Sequence, residues 1–170
     1  MSDYATATGN TLRIERRLPG PIERGWAYLV ESEKRALWFA GGVWDLHPGG
    51  EARVVFDHSK VSDEAIPEEW KSMEGNAPSG TITRVEAPRL LAYRADMGGA
   101  PFEVTFELTA VGDEVVLVLT QAPVDDQGKA AFGAGWHAYL DMLGDRLRGA
   151  PPRAFWTHFH RLMEQYATRF

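Results

Sequence analysis

Leu12, Ile14 and Leu18 fall on one side of the stretch TLRIERRL, and Arg13, Glu15 and Arg17 fall on the other. This two-residue period predicts a half-buried strand with one lapse, at Arg16. The period then changes. In PGPIERGWAYLV, Ile22, Trp26, Leu29 and Val30 recur at helical spacing behind Pro21, which suits a first helical turn. ESEKRALWF offers Ser32 as the cap of a short second helix carrying Leu37 and Trp38.

Alternation returns in the middle of the chain. GGVWDL and EARVVFDH flank the turn signal His47-Pro48-Gly49-Gly50 and predict a hairpin. SGTITRVEAPRLLAYRADM reads as two strands broken at Ala87-Pro88. In FEVTFELTAVGDEVVLVLTQA, Phe102, Val104, Phe106 and Leu108 alternate with Glu103, Thr105 and Glu107, and Gly112-Asp113 turns the chain into Val115–Leu119. Residues 57–79 hold Pro67, Gly75 and Pro78 among polar residues and predict a long loop with one helical turn around PEEWKSM. At about 100° per residue, Phe132, Trp136, Tyr139, Leu140, Leu143 and Leu147 share one face of a long helix, with His137, Asp141, Asp145 and Arg148 to its side or rear. After Pro151-Pro152, a last helix gathers Phe155, Phe159, Leu162, Met163, Tyr166 and Phe170.

Composition narrows the partners. The chain has 170 residues and a formal net charge of -6, which disfavours nucleic acid and anionic membrane. It has no cysteine, hence no disulfide or Cys-ligated zinc. No signal-peptide pattern and no long apolar run occur, so a soluble, cytoplasmic protein is expected. Residues 1–10 are small and polar and predict a frayed arm.

The series RRLPGPIERGWAYLVESEKRALWFAGG, HPGGEARVVF, GTITRVEAPRLLAYRAD and GWHAYLDMLGDRLRG resembles the START-like (SRPBCC) superfamily, and within it the activator-of-heat-shock-protein-90-ATPase homologue-like (AHSA-like) proteins. The resemblance implies an α+β helix-grip fold. A curved antiparallel sheet wraps around a long C-terminal helix, two short helices follow strand 1, and a cavity between sheet and helix commonly holds apolar or aromatic molecules. It covers residues 11–149. Residues 150–170 extend beyond the family's usual grip helix and are expected to pack back on the domain or to serve a homodimer through Phe155, Phe159, Leu162 and Tyr166.

Catalytic motifs are scarce. His137 and Asp141 stand one helical turn apart and form a candidate acid–base pair, with Tyr93 as a third candidate. His137, however, lies about 100° from the centre of the apolar face, which favours a solvated or structural pair. The five histidines show no HExxH or His-x3-His spacing, His158 and His160 point opposite ways on a helix, and Asp57-His58 is one isolated pair, so no metal is expected. No nucleotide or dinucleotide fingerprint is present, and no cofactor is expected. Gly133 and Gly135 are read as permitting close approach of the sheet, or as a helix irregularity.

The aromatic supply is more informative. Trp38, Trp44, Phe56, Tyr93, Phe102, Phe106 and Trp136 lie on elements that surround the cavity in a helix-grip fold, with Leu140 and Leu143 beside Trp136. Trp70, in the long loop, either covers the mouth or anchors the loop. Arg53, Arg94, Glu103 and His137 are candidate polar anchors, with Arg94 and Glu103 turned outward if the alternation of Tyr93 and Phe102 holds. A mostly apolar pocket with few polar groups suits a small-molecule site. The expectation is therefore a binding module for a small hydrophobic or aromatic ligand. The alternatives are a cyclase-, aromatase- or hydrolase-like enzyme using the same cavity, and a chaperone-cofactor or stress-response partner.

Overall fold

The computed structural model describes residues 3–75, 79–96 and 99–170. Strand β1 (Thr6–Thr8) turns at Gly9 into β2 (Thr11–Pro19), and helices α1 (Ile22–Val30) and α2 (Ser32–Arg35) follow. After β3 (Glu51–Arg53) come two 3-10 turns, His58–Lys60 and Glu68–Met73. Strands β4 (Ser79–Glu86), β5 (Leu90–Ala95), β6 (Phe102–Val111) and β7 (Glu114–Ala122) lead to helices α3 (Lys129–Arg148) and α4 (Phe155–Tyr166). All seven strands join one antiparallel sheet in the order β1-β2-β7-β6-β5-β4-β3. α3 crosses its concave face. This is the helix-grip fold.

Alternation explains the strands. Val115, Leu117 and Leu119 of β7 are buried, as are Phe102, Val104, Phe106 and Leu108 of β6. The lapse at Arg16 is an inward-facing residue of β2 in step with Leu12, Ile14 and Leu18, placed to meet Asp141 of α3. α3 stops where Gly149 adopts φ 68° and the Ala150 N–H reaches the Asp145 carbonyl at 2.9 Å, a left-handed C-terminal cap.

Four expectations need correction. Most of residues 1–10 is ordered (Met1 and Ser2 lie outside the described residues). Ala5 is buried, its N–H donates to Tyr166 Oη at 2.6 Å, and Tyr4 Oη donates to Gln165 Oε1 at 2.7 Å. The arm is held by α4, which sequence patterning of the arm alone does not reveal.

The hairpin around His47–Gly50 survives only as β3 and two isolated bridges, Gly41 to Val55 and Trp44 to Ala52. At the entry to this segment Arg35 donates to the carbonyls of Ala40, Leu29 and Gly42 from a fully buried position. Burial lowers its pKa to about 10.

Ser32 does not cap α2 but accepts the Gly42 N–H at 2.9 Å. Phe155, Phe159, Leu162 and Tyr166 are buried within the chain, where the apolar stripe of α4 packs against its own domain. Gly133 allows that contact. A Cβ there would lie 3.0 Å from the Tyr166 ring, so the close approach is to α4, not to the sheet. The long loop follows the expectation of a turn around PEEWKSM, although residues 76–78, Pro78 included, lie outside the described residues.

Candidate functional site

Between the sheet and the first half of α3 lies a cavity of about 220 Å³. Of the aromatic residues expected there, Phe56, Tyr93, Phe102, Trp136 and Trp70 do line it. Trp38, Trp44, Phe106, Leu140 and Leu143 do not; they are packed solidly behind the wall. Trp38 donates its indole N–H to the Tyr28 carbonyl at 2.8 Å, and Trp44 donates to the Arg53 carbonyl at 2.8 Å beneath the Arg35 guanidinium. Phe106 lies edge-on to Trp38 and Trp136. Leu140 and Leu143 face the closed core further along α3.

Part of the wall comes from an unexpected source. Phe155, Trp156 and Phe159 of α4 border the cavity, and Trp70 stacks on Trp156 at 5.8 Å and meets Phe159 edge-on at 5.4 Å. Trp70 thus both lines the cavity and anchors the loop, donating to His160 Nε2 at 3.3 Å. Lining residues that keep contact with solvent mark the rim: Trp70 and Met73 on the 3-10 turn, Ala95 at the end of β5, and Ala131, Phe132 and Gly135 on α3. A Cβ on Gly135 would meet nothing within 4 Å, so this glycine opens the mouth.

None of the lining residues is charged. Arg53, Arg94, Glu103 and His137 do not border the cavity, and Arg94 and Glu103 face outward as the alternation requires, Glu103 accepting the Thr83 hydroxyl at 3.0 Å. Polarity on the wall comes from Tyr93, Tyr139, Gln121 and the indole groups. Burial raises the pKa of both tyrosines, so each phenol stays protonated. Tyr139 Oη lies 2.7 Å from His58 Nε2, and His58 Nδ1 is held by Glu74. His58 is buried against Phe56 and Trp156, and desolvation lowers its pKa although Glu74 opposes the effect. Glu74, His58 and Tyr139 therefore form one chain from the protein surface to the cavity wall. Its members are remote in sequence, and spacing alone could not join them.

His137 and Asp141 lie on the opposite side of α3, so the sequence-based candidate pair is remote from the cavity. His137 Nδ1 is 3.0 Å from Tyr166 Oη, and its ring meets Tyr4 edge-on. Asp141 accepts from His158 Nε2 at 2.8 Å and from Arg16 Nε at 3.2 Å, with His137 Nε2 at 3.3 Å and Arg153 Nη1 at 3.5 Å. Burial alone would raise its pKa, but these histidine hydrogen bonds and the Arg16 charge hold it far below the usual carboxylate range.

His137, Asp141 and His158 converge closely enough to invite a metal ion. The wiring argues otherwise. Arg161 donates to His158 Nδ1 at 2.7 Å, which puts the proton on the Nε2 that faces Asp141, and two guanidinium groups already balance the carboxylate. The cluster is an ion-pair hub.

A search of curated proteins finds no match. Among solved structures, a Bordetella parapertussis protein determined by solution NMR is 36% identical, with a TM-score of 0.83 over 99% of this chain and 93% of its own. The crystal structure of CalU16 from Micromonospora echinospora is 26% identical, with a TM-score of 0.69 over 93% of this chain and 86% of that one. A solution structure of the Aha1 dimer from Colwellia psychrerythraea shares the fold at 14% identity, with a TM-score of 0.59 over 79% of this chain and 95% of that one. The family model described as activator of Hsp90 ATPase homolog 1-like protein matches residues 19–148. With most of its length under that model, the chain belongs to the activator of Hsp90 ATPase homolog 1-like family.

Proposed function

We infer that the protein binds a small hydrophobic or aromatic molecule in the cavity beneath Trp136. The observation that carries this reading is an unfilled volume of about 220 Å³ walled by aromatic rings and free of charged side chains. An apolar cavity of about 150 Å³ holds benzene, so this one suits a ligand of one or two rings. Among the described residues no helix is long and apolar enough to cross a membrane.

The test is a thermal-shift titration with one- and two-ring aromatics, repeated on Gly135→Leu. Wild type is expected to gain about 2.7 kcal/mol at a hundredfold excess over Kd. Gly135→Leu, whose side chain would occupy the mouth, should fold normally and lose that gain. Uniform absence of stabilisation in wild type would sink the reading.

One observation favours a second reading, acid–base chemistry on the bound molecule. In the Glu74–His58–Tyr139 chain, Tyr139 can hand its proton to His58 Nε2 as its oxygen takes one from a ligand, leaving an imidazolium beside Glu74. Deuterium uptake next to the carbonyl of 1-tetralone, followed by NMR, checks it. Uptake should exceed the buffer rate in wild type and return to that rate in His58→Gln; equal uptake in both proteins would eliminate this reading.

A further inference from the structure

Two N–H donors on the cavity wall have no acceptor. Gln121 is the polar member of an otherwise apolar series on β7, in step with Val115, Leu117 and Leu119, so its side chain enters the concave face. Trp136 Nε1 donates to Gln121 Oε1 at 2.7 Å, which fixes the orientation of the amide and leaves both hydrogens of Nε2 unused. Nothing accepts from Nε2, and nothing accepts from the indole Nε1–H of Trp156. Both residues border the cavity, Gln121 at 1% exposure and Trp156 at 3%.

Trp156 differs here from its neighbours. Trp38, Trp44, Trp70 and Trp136 each place the indole N–H on an acceptor within the chain. Buried donors are almost always met, and an unmet one carries its whole desolvation penalty. Two such donors on residues that line one cavity call for an acceptor within it. That acceptor is uncharged, because no residue lining the cavity bears a charge that could balance a carboxylate or phosphate.

We propose that the ligand is a neutral molecule of one or two rings that carries an acceptor oxygen of the ketone, quinone or ester type, received by Gln121 Nε2 and Trp156 Nε1. The inference rests on reading the cavity as a binding site and narrows the class of ligand. Simple hydrocarbons leave both donors unmet, and fatty-acid carboxylates bring a charge with no counter-ion.

Tetralin and 1-tetralone test it, since they share a ring frame and differ by one carbonyl oxygen. In a merely greasy cavity, tetralin, the more hydrophobic of the two, binds tighter. With the donors engaged the order reverses, and calorimetry on the full chain should show 1-tetralone about tenfold tighter. The Trp156 indole N–H resonance should move on adding 1-tetralone and stay near its free position with tetralin.

Trp156→Phe keeps the ring and breaks no hydrogen bond of the free protein, so it should fold and lose about fivefold of the preference. Gln121→Glu, measured at alkaline pH, retains an acceptor for Trp136 while deleting the amide donors, and serves if Trp156→Phe does not fold. Tetralin binding as tightly as 1-tetralone, with the ratio unchanged in the variants, overturns the proposal and leaves the cavity a binding site. Absence of binding by both compounds removes the binding reading and this proposal together.

Discussion

The two sides of α3 are built on opposite plans. Its inner side carries Trp136 and Tyr139 over a cavity, with weakly polar walls and two unmet donors. Its outer side carries His137, Asp141 and Asp145 under α4 and the N-terminal arm, where charged groups pair with one another, although Arg16 Nη2 is buried without a partner. Arg153 grips Asp145 with both Nε and Nη2 at 2.9 Å, and Asp141 gathers Arg16 and two histidines. The difference shows where the helix gets its position. It is held from behind by directional, charge-assisted bonds, so the face toward the cavity need not be close-packed to keep the helix in place. A vacancy in the core is tolerable because the roof is clamped from outside.

Breaking the clamp should have the largest effect. Asp141→Ala leaves Arg16 in a buried position without its carboxylate, and removing one partner of such a pair typically costs about 3–5 kcal/mol. Urea unfolding is the measure. If the two sides are as separate as proposed, the fraction still folded at low temperature should bind ligand with an unchanged Kd; loss of affinity in that folded fraction would show that the clamp shapes the cavity too.

The same carboxylate predicts the acid response. Its folded-state pKa lies below the ordinary 3.8, so its stabilisation is complete above that value and disappears as pH falls through the folded-state pKa. Asp145, depressed by Arg153 against the effect of burial, acts in the same direction. The stability gap between wild type and Asp141→Asn should therefore be widest near neutrality and shrink below about pH 4. A gap that stays constant from neutral pH down to about pH 3 would mean that Asp141 is not held as an ion by the hub.

A smaller effect is expected at the edge of the clamp. Tyr166 Oη accepts the buried Ala5 N–H and lies against His137, and its pKa is pushed up to about 12, burial being the main cause. Tyr166→Phe strands that N–H and should cost about 1–3 kcal/mol. Amide exchange locates the damage: Ala5 and β1 should lose protection while β6 and β7 keep theirs. Uniform loss across the sheet would contradict a local role for the arm.

The fold was legible because its signals are periodic. Strands β2, β6 and β7 and both long helices announce themselves by which residues recur at two or at 3.6. The cavity was legible in part, through aromatics on elements that the resemblance places around it. The clamp was not. Asp141 and His137 read as a solvated or structural pair at the side or rear of the helix, because helical periodicity marks polarity, not exposure, and only the folded chain brings Arg16 and α4 over them. The apolar stripe of α4 was visible, but its destination was not, since an amphipathic helix looks the same whether it covers its own domain or a second copy. Gln121 left a usable trace, a polar residue in phase with three buried aliphatics of β7. His58 left none, as its partners lie 16 and 81 positions away.

The mildest test of the comparison is Gly135→Ala. On the outer side a new methyl collides: at Gly133 it would press on Tyr166 at 3.0 Å. At Gly135, on the cavity side, it meets nothing within 4 Å, and the residue lies inside a regular helix where glycine is unfavourable. Replacing it should stabilise the ligand-free protein by about 0.5–1 kcal/mol through helix propensity alone. Gly133→Ala should instead destabilise, because the Tyr166 ring must yield while its hydroxyl stays tied to Ala5. Opposite signs two residues apart, read from thermal midpoints, are what a helix pressed on Tyr166 at Gly133 and left open at Gly135 must give. Equal signs would mean that the two sides are packed alike, and the mouth assigned to Gly135 would then be closed in solution.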